Sequence, residues 1–255
     1  MRAHSGRSAE AALDFAKTVA FSCSSALGDT LVGVILHGSL ATAGYLNGKS
    51  DIDLLAIVEG PLSDFQIRAM IKAARTLRAR APAPVDLRVL KRCVAQSPTK
   101  APFMEAYLRI RPGHRKVVVE SRRLEPDLTI ELSVCRAHGL SLFGLGPLET
   151  IVEIPRPLVL EVQDDLLAHW QAVGDDPRSA ELTVLTACRI WLFSEEGRYT
   201  SKTDAAEWVL TQRPGLEVVR DALRHRSIDA RTSIDGGQVQ QLLALVRARL
   251  KAELG

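Results

Sequence analysis

The sequence predicts an α+β protein in two parts, with helix and strand patterns mixed over residues 1–155 and helical patterns alone over residues 156–255. Three observations carry this reading. Residues 31–37 (LVGVILH) and 51–58 (DIDLLAIV) are short apolar runs rich in β-branched side chains, as buried strands are. Residues 85–90 (VDLRVL) alternate apolar and polar side chains, the mark of a half-buried strand. Beyond Pro155 and Pro157 such runs give way to apolar residues at helical intervals, for example Leu166, Trp170 and Val173.

In chain order, residues 8–27 place Leu13, Ala16, Val19, Ala20, Cys23 and Leu27 at helical spacing, and Gly28-Asp29 ends the pattern. After the first strand, residues 38–50 form a polar, glycine-bearing connection to the second. Ser63 and Gln66 then form a capping box, opening a helix that turns Phe65, Ile67, Met70, Ile71, Ala74 and Leu77 inward and stops before Pro82 and Pro84. Its arginine-rich end (75–80, RTLRAR) sits favourably at the negative pole of the helix. Residues 91–113 read as irregular with a short helix at 103–110, and residues 116–119 and 127–134 fit strand and helix equally. The second half divides into helices at 158–173, 180–193, 201–210, 216–223 and 238–254, with a hydroxyl of the Ser201-Lys202-Thr203 stretch as N-cap. Trp170, Trp191 and Trp208 fall at core spacing and read as packing.

Composition bounds the function. Hydrophobic residues make up 46% of the 255, which excludes disorder as the dominant state. With 33 Lys and Arg against 30 Asp and Glu, the net charge of +3 is too small to mark a nucleic-acid or anionic-membrane partner. The apolar runs stop far short of the ~20 residues that cross a bilayer, and the start of the chain carries no apolar signal segment. The expectation is a cytoplasmic monomer that engages neither membrane nor nucleic acid. Cys23, Cys93, Cys135 and Cys188 stand too far apart for a zinc motif and read as buried thiols.

The chemistry concentrates in Leu36-His37-Gly38-Ser39, eleven intervening residues, then Asp51-Ile52-Asp53-Leu54. Two aspartates at i and i+2 of a strand share a face, ~7 Å apart along the backbone. A hard divalent cation such as Mg²⁺ would relieve their repulsion, because it prefers oxygen ligands and completes its shell with waters and substrate phosphates. Gly38 and Ser39 end the preceding strand, where small residues let backbone N–H groups approach a phosphate. Asp86 stands alone among apolar neighbours on the third strand and would complete a three-carboxylate set. His37 reads as a strand-end residue packed beside the loop.

Residues 36–58 resemble the signature of the nucleotidyltransferase (DNA polymerase β-like) superfamily, hG[GS] followed by DhDh. With PVDLRVL, the LFG before residue 145 and LTACRIWLFSEEGRYTSKTDAAEWVL at 185–210, the chain is similar to the aminoglycoside (3'')(9) adenylyltransferases over nearly its whole length. That resemblance implies a mixed sheet with flanking helices in an N-terminal nucleotidyltransferase domain, an all-α C-terminal bundle, and an active site between them. It implies AMP transfer from ATP to a hydroxyl of an aminoglycoside or aminocyclitol, spectinomycin or streptomycin, with release of pyrophosphate. Asp51, Asp53 and Asp86 would hold two Mg²⁺ ions. Asp86 would be the general base, in place of the family's Glu. Arg189 and Lys202 would contact ATP; an arginine suits phosphates through its bidentate fork, and Lys202 is unusual as a purely structural cation at a helix start.

The acceptor side departs from the family pattern. Where streptomycin-modifying members carry a tryptophan in a GEWLR-like stretch, this chain has Met104-Glu105-Ala106-Tyr107-Leu108-Arg109, leaving Tyr107 to stack on a sugar ring. Ser179 and Leu182 stand where the family's aspartate and histidine fall. Glu105, Glu181, Asp175 and Asp176 are the carboxylates left to meet a cationic acceptor, so the departures weigh against streptomycin more than spectinomycin. A protein or nucleic-acid acceptor, or a module that binds nucleotide without transferring it, are the alternatives.

Overall fold

The computed structural model describes residues 2–114, 116–174, 179–227 and 233–255. They fall into two compact units, Met1–Ile154 and Pro155–Gly255.

The first unit runs α1 (Arg2–Leu27), β1 (Leu31–His37), a helical turn α2 (Gly38–Ala41), β2 (Ile52–Val58), α3 (Asp64–Leu77), β3 (Val85–Lys91) and a turn α4 (Arg92–Ala95). It continues with β4 (Phe103–Ile110), β5 (Val118–Leu124), α5 (Asp127–His138), β6 (Leu140–Gly144) and a turn α6 (Pro147–Thr150). The strands form one mixed sheet in the order β5-β4-β3-β2-β1-β6. β2 and β3 run parallel, and the other neighbours are antiparallel. The parallel pair requires a crossover, which α3 supplies.

Burial explains the strand sequences. β1 and β2 lie inside the sheet with both faces covered, so Val34, Ile35, Leu36, Leu54, Leu55, Ala56 and Ile57 are fully buried and the runs read as continuous apolar stretches. α1 and α3 cover one face, packing Ala16, Val19, Met70 and Leu77 with Leu36, Leu54, Leu87 and Leu108. α5 buries Leu128, Leu132 and Cys135 and packs on β1. The capping box forms, with Ser63 Oγ accepting from Gln66 N–H at 3.2 Å and Gln66 Oε1 accepting from Ser63 N–H at 3.0 Å.

Three expectations are corrected. Residues 103–110 are a strand, not a short helix. Met104, Ala106, Leu108 and Ile110 are all buried, a period of two that the accidental i, i+3, i+4 spacing of Phe103, Ala106 and Tyr107 concealed. Phe65 points outward, 71% exposed, because nine residues at ~100° each put it opposite buried Ala74 on α3. Cys93 is exposed, while Cys23, Cys135 and Cys188 are buried. The two ambiguous stretches resolve as strand β5 and helix α5.

The second unit contains α7 (Arg156–Val173), α8 (Ala180–Glu196), α9 (Lys202–Gln212), α10 (Glu217–Ser227) and α11 (Gly236–Leu254). α8 packs against the other four and is buried on almost every side, as its apolar sequence requires. Trp191 is fully buried, edge-on to Trp208 with centroids 6.3 Å apart and beneath the Arg249 guanidinium at 4.4 Å. Arg247 ties α11 to α7 through Asp164 at 2.7 and 3.2 Å. Ser201 caps α9, its hydroxyl accepting from Asp204 N–H at 3.1 Å. Among the described residues no helix is long and apolar enough to cross a membrane.

Candidate active site

Strand register brings the carboxylates together. Asp53 on β2 lies directly beside Asp86 on β3, and Asp86 faces Arg109 on β4. His37 ends β1 opposite Asp53. Asp51 precedes Asp53 by two residues and therefore shares its face. Residues at sequence positions 51, 53, 86 and 109, drawn from three adjacent strands, thus form one charged cluster on the face opposite α1 and α3.

Arg109 organises this cluster. One guanidinium nitrogen lies 2.9 Å from Asp51 Oδ2 and the other 3.1 Å from Asp86 Oδ2. The Tyr107 hydroxyl donates to Asp86 Oδ1 at 2.9 Å and accepts from Arg109 at 3.4 Å. Both oxygens of Asp86 are therefore held, in a residue only 7% exposed. Burial alone would lower the Arg109 pKa; the Tyr107 hydrogen bond and the charges of Asp86 and Asp51 outweigh it and raise it. Burial and the neighbouring Asp86 charge raise the Tyr107 phenol, keeping it a donor at neutral pH.

Behind the cluster lies an arginine–glutamate contact. Arg88, two residues beyond Asp86 on the same strand face, meets Glu131 of α5 at 3.1 Å, and its guanidinium stands 5.1 Å over the Tyr107 ring. Burial pushes the Glu131 carboxyl up to about 8, with Arg88 opposing and the charges of Asp53, Asp127 and Asp86 adding to the rise. His37 is buried, and burial with the nearby Arg88 charge lowers its pKa to about 3. It is a neutral imidazole at physiological pH, consistent with the packing role expected of it.

Gly38 begins α2 against Asp53. Its φ is +68°, and a β-carbon there would meet Asp53 Oδ2 at 2.1 Å, so a side chain at position 38 would strain the backbone and push the Asp53 carboxylate aside. Ser39 follows in the same turn, half-buried.

The remaining expected residues each have their own surroundings. Glu105 is buried, accepting from Leu62 N–H at 3.2 Å with Lys91 at 3.9 Å; it supports the backbone before α3. Tyr107 belongs to the acidic cluster through its hydroxyl. In the second unit, Arg189 is a half-buried cation on the largely buried α8, and Lys202 is the first residue of α9. Glu181 in the first turn of α8 is paired with Arg226 at 3.6 Å. Asp175 and Asp176 lie outside the described residues.

Sequence reasoning missed Arg88, Arg109 and Glu131. Arg88 carries a signal, since it shares the strand face of Asp86 at i+2. Arg109 becomes visible once residues 103–110 are read as a strand, because Tyr107 and Arg109 then share a face.

The donor set suits Mg²⁺. A single guanidinium bridges Asp51 and Asp86, so both carboxylates face the same cation. Among the described residues no three acidic, histidine or cysteine side chains close into a metal cage. Mg²⁺ does not require one, because it usually binds through one or two carboxylates together with waters and substrate phosphates.

A nucleotidyltransferase domain model matches residues 22–136, and the aminoglycoside adenylyltransferase C-terminal domain model matches residues 152–217. A spectinomycin 9-adenylyltransferase of Staphylococcus aureus is 28% identical over 196 residues, 73% of this chain and 74% of that protein. The spectinomycin 9-adenylyltransferase of Enterococcus faecalis is 24% identical over 201 residues, 74% of this chain and 76% of the relative. A crystal structure of the enterococcal spectinomycin adenyltransferase, with ATP and spectinomycin, has the same fold, at a TM-score of 0.70 and 20% identity, covering 89% of this chain and 94% of that one. A nucleotidyltransferase domain followed by an aminoglycoside adenylyltransferase C-terminal domain, with spectinomycin 9-adenylyltransferases among the relatives, supports a nucleotidyltransferase enzyme of the aminoglycoside adenylyltransferase family.

Proposed function

We propose that the enzyme transfers AMP from Mg-ATP to a hydroxyl of spectinomycin or a closely similar aminocyclitol, releasing pyrophosphate. The observation that carries this is the side-by-side register of Asp53 and Asp86, with Asp51 and Asp86 bridged by the Arg109 guanidinium. The spectinomycin 9-adenylyltransferases among its relatives support the choice of acceptor.

Asp51, Asp53 and Asp86 would hold Mg²⁺, which when bound neutralises charge on the phosphates. Asp86 takes the proton of the acceptor hydroxyl. The new O–P bond forms at the α-phosphorus as the bond to pyrophosphate breaks in line. Tyr107 orients Asp86 through the 2.9 Å hydrogen bond, and a general base depends on such placement. The backbone at Gly38 and Ser39 receives phosphate oxygens, and Gly38 has no side chain to block them. Arg189 and Lys202 supply further positive charge to the triphosphate, Arg189 through its bidentate fork.

Streptomycin is the weaker acceptor in this reading. Ser179 and Leu182 replace an acid and a histidine, Leu182 is 49% exposed, and Glu181 is engaged with Arg226. Incubation with Mg-ATP and each drug, following pyrophosphate, tests the proposal. Turnover with spectinomycin and much less with streptomycin is expected. ATP binding without turnover on any aminoglycoside or aminocyclitol would refute it.

A further inference from the structure

The geometry points to Arg109 as a built-in counter-cation that bridges Asp51 and Asp86 and must release at least one of these carboxylates when a metal ion binds both. This rests on the reading of Asp51 and Asp86 as metal ligands.

Its two nitrogens meet carboxylates from different strands, Asp51 ahead of β2 at 2.9 Å and Asp86 on β3 at 3.1 Å. Two convergent carboxylates without a cation would repel, and one would take up a proton. The guanidinium removes that conflict, and its planar fork spans two acceptors where the point charge of a lysine would not. The side chain is only 26% exposed, so solvent screens the pairs less than on an open surface. A hard cation held by Asp51 and Asp86 draws on the same carboxylates, and an oxygen that coordinates it closely cannot also keep a guanidinium at hydrogen-bond distance along the same direction. Arg109 also donates to the Tyr107 hydroxyl at 3.4 Å, a contact it can keep when a carboxylate is released. Ion and arginine therefore compete, and the acidic cluster stays neutralised throughout.

The test uses Mn²⁺ binding to the full chain without nucleotide, read as free ion by electron paramagnetic resonance, with melting temperature in EDTA and in excess Mn²⁺. Losing the competing contact in Arg109→Gln should tighten Mn²⁺ binding on the order of tenfold, the equivalent of one charge-assisted hydrogen bond no longer broken. The variant should melt below wild type in EDTA and recover when Mn²⁺ is added, giving a larger metal-induced shift than wild type. Arg109→Lys, which keeps the charge and protects against a folding failure, should lie between the two. A purely structural arginine would lower melting equally with and without metal and leave Mn²⁺ affinity unchanged, and that result, or weaker binding, overturns the inference. Asp51→Asn should weaken Mn²⁺ binding. If it does not, or if wild type binds no Mn²⁺, the metal-ligand assignment falls and the inference with it. Spectinomycin turnover, measured separately, tells a failure of the proposed function from a failure of this inference alone.

Discussion

Gly38 and Asp53 are packed so closely that a β-carbon on the glycine would lie 2.1 Å from the aspartate Oδ2 and 3.0 Å from its Cγ. What must yield is the end of the Asp53 side chain, so the strain of any substitution falls on the carboxylate itself. Gly38→Ala also places an L residue at φ +68°, a cost of about 1–2 kcal/mol. Urea unfolding should show a loss of that size. AMP transfer should fall further, roughly a hundredfold, as misplacement by an ångström does.

Asp86→Asn keeps the shape of the side chain and removes the carboxylate proposed as the base. ATP should bind as before, and transfer should drop by about 10²–10⁴. Asp86→Glu keeps a carboxylate and should retain activity. Transfer unimpaired in Asp86→Asn would take the base assignment away from this residue.

Tyr107→Phe deletes the hydroxyl that holds Asp86 Oδ1 while leaving the ring under Arg88. The loss of one hydrogen bond to a carboxylate should cost about 1.5 kcal/mol in the transfer step, roughly tenfold. The effect should appear in kcat rather than in the KM for ATP, because the tyrosine touches the base.

Glu131 gives the first unit a pH signature. Burial raises its folded-state pKa from the ordinary 4.5 to about 8, so the folded chain holds this proton more tightly than the unfolded one. Its stability contribution is intact below pH 4.5, declines as pH rises through the interval to 8, and is fully lost above it. Glu131→Gln cannot ionise. Urea unfolding from pH 5 to 9 should show wild-type stability falling relative to the variant across that window.

Ser201→Ala removes the hydroxyl that accepts from Asp204 N–H at the start of α9. The second unit should lose about 1 kcal/mol, as a helix N-cap does, with the loss visible in thermal melting. Lys202, the next residue, would be held less firmly, so the KM for ATP should rise modestly.

How much was legible in the sequence follows from which forces act locally. Ser63 and Gln66 reveal a helix start because capping is completed within four residues. The runs around Ile35 and Leu55 read as strands because both of their faces are buried. Asp51, Asp53 and Asp86 were visible because the chemistry of clustered acids is distinctive. Residues 103–110 were misread because their apolar side chains satisfy two periods, and only neighbours β3 and β5 decide between them. That single misreading hid Arg109, whose role depends on standing across from Asp86. Glu131 was invisible for another reason: its partner, Arg88, lies 43 positions earlier, and no local pattern joins them. The placement of Glu105 beneath Leu62 is likewise a long-range contact, which its sequence neighbourhood in MEAYLR does not betray.

Arg109 on β4 faces Asp86 on β3 and also reaches Asp51 ahead of β2. One side chain therefore ties together two segments that no backbone pairing joins directly, so a change at position 109 is felt at both carboxylates at once.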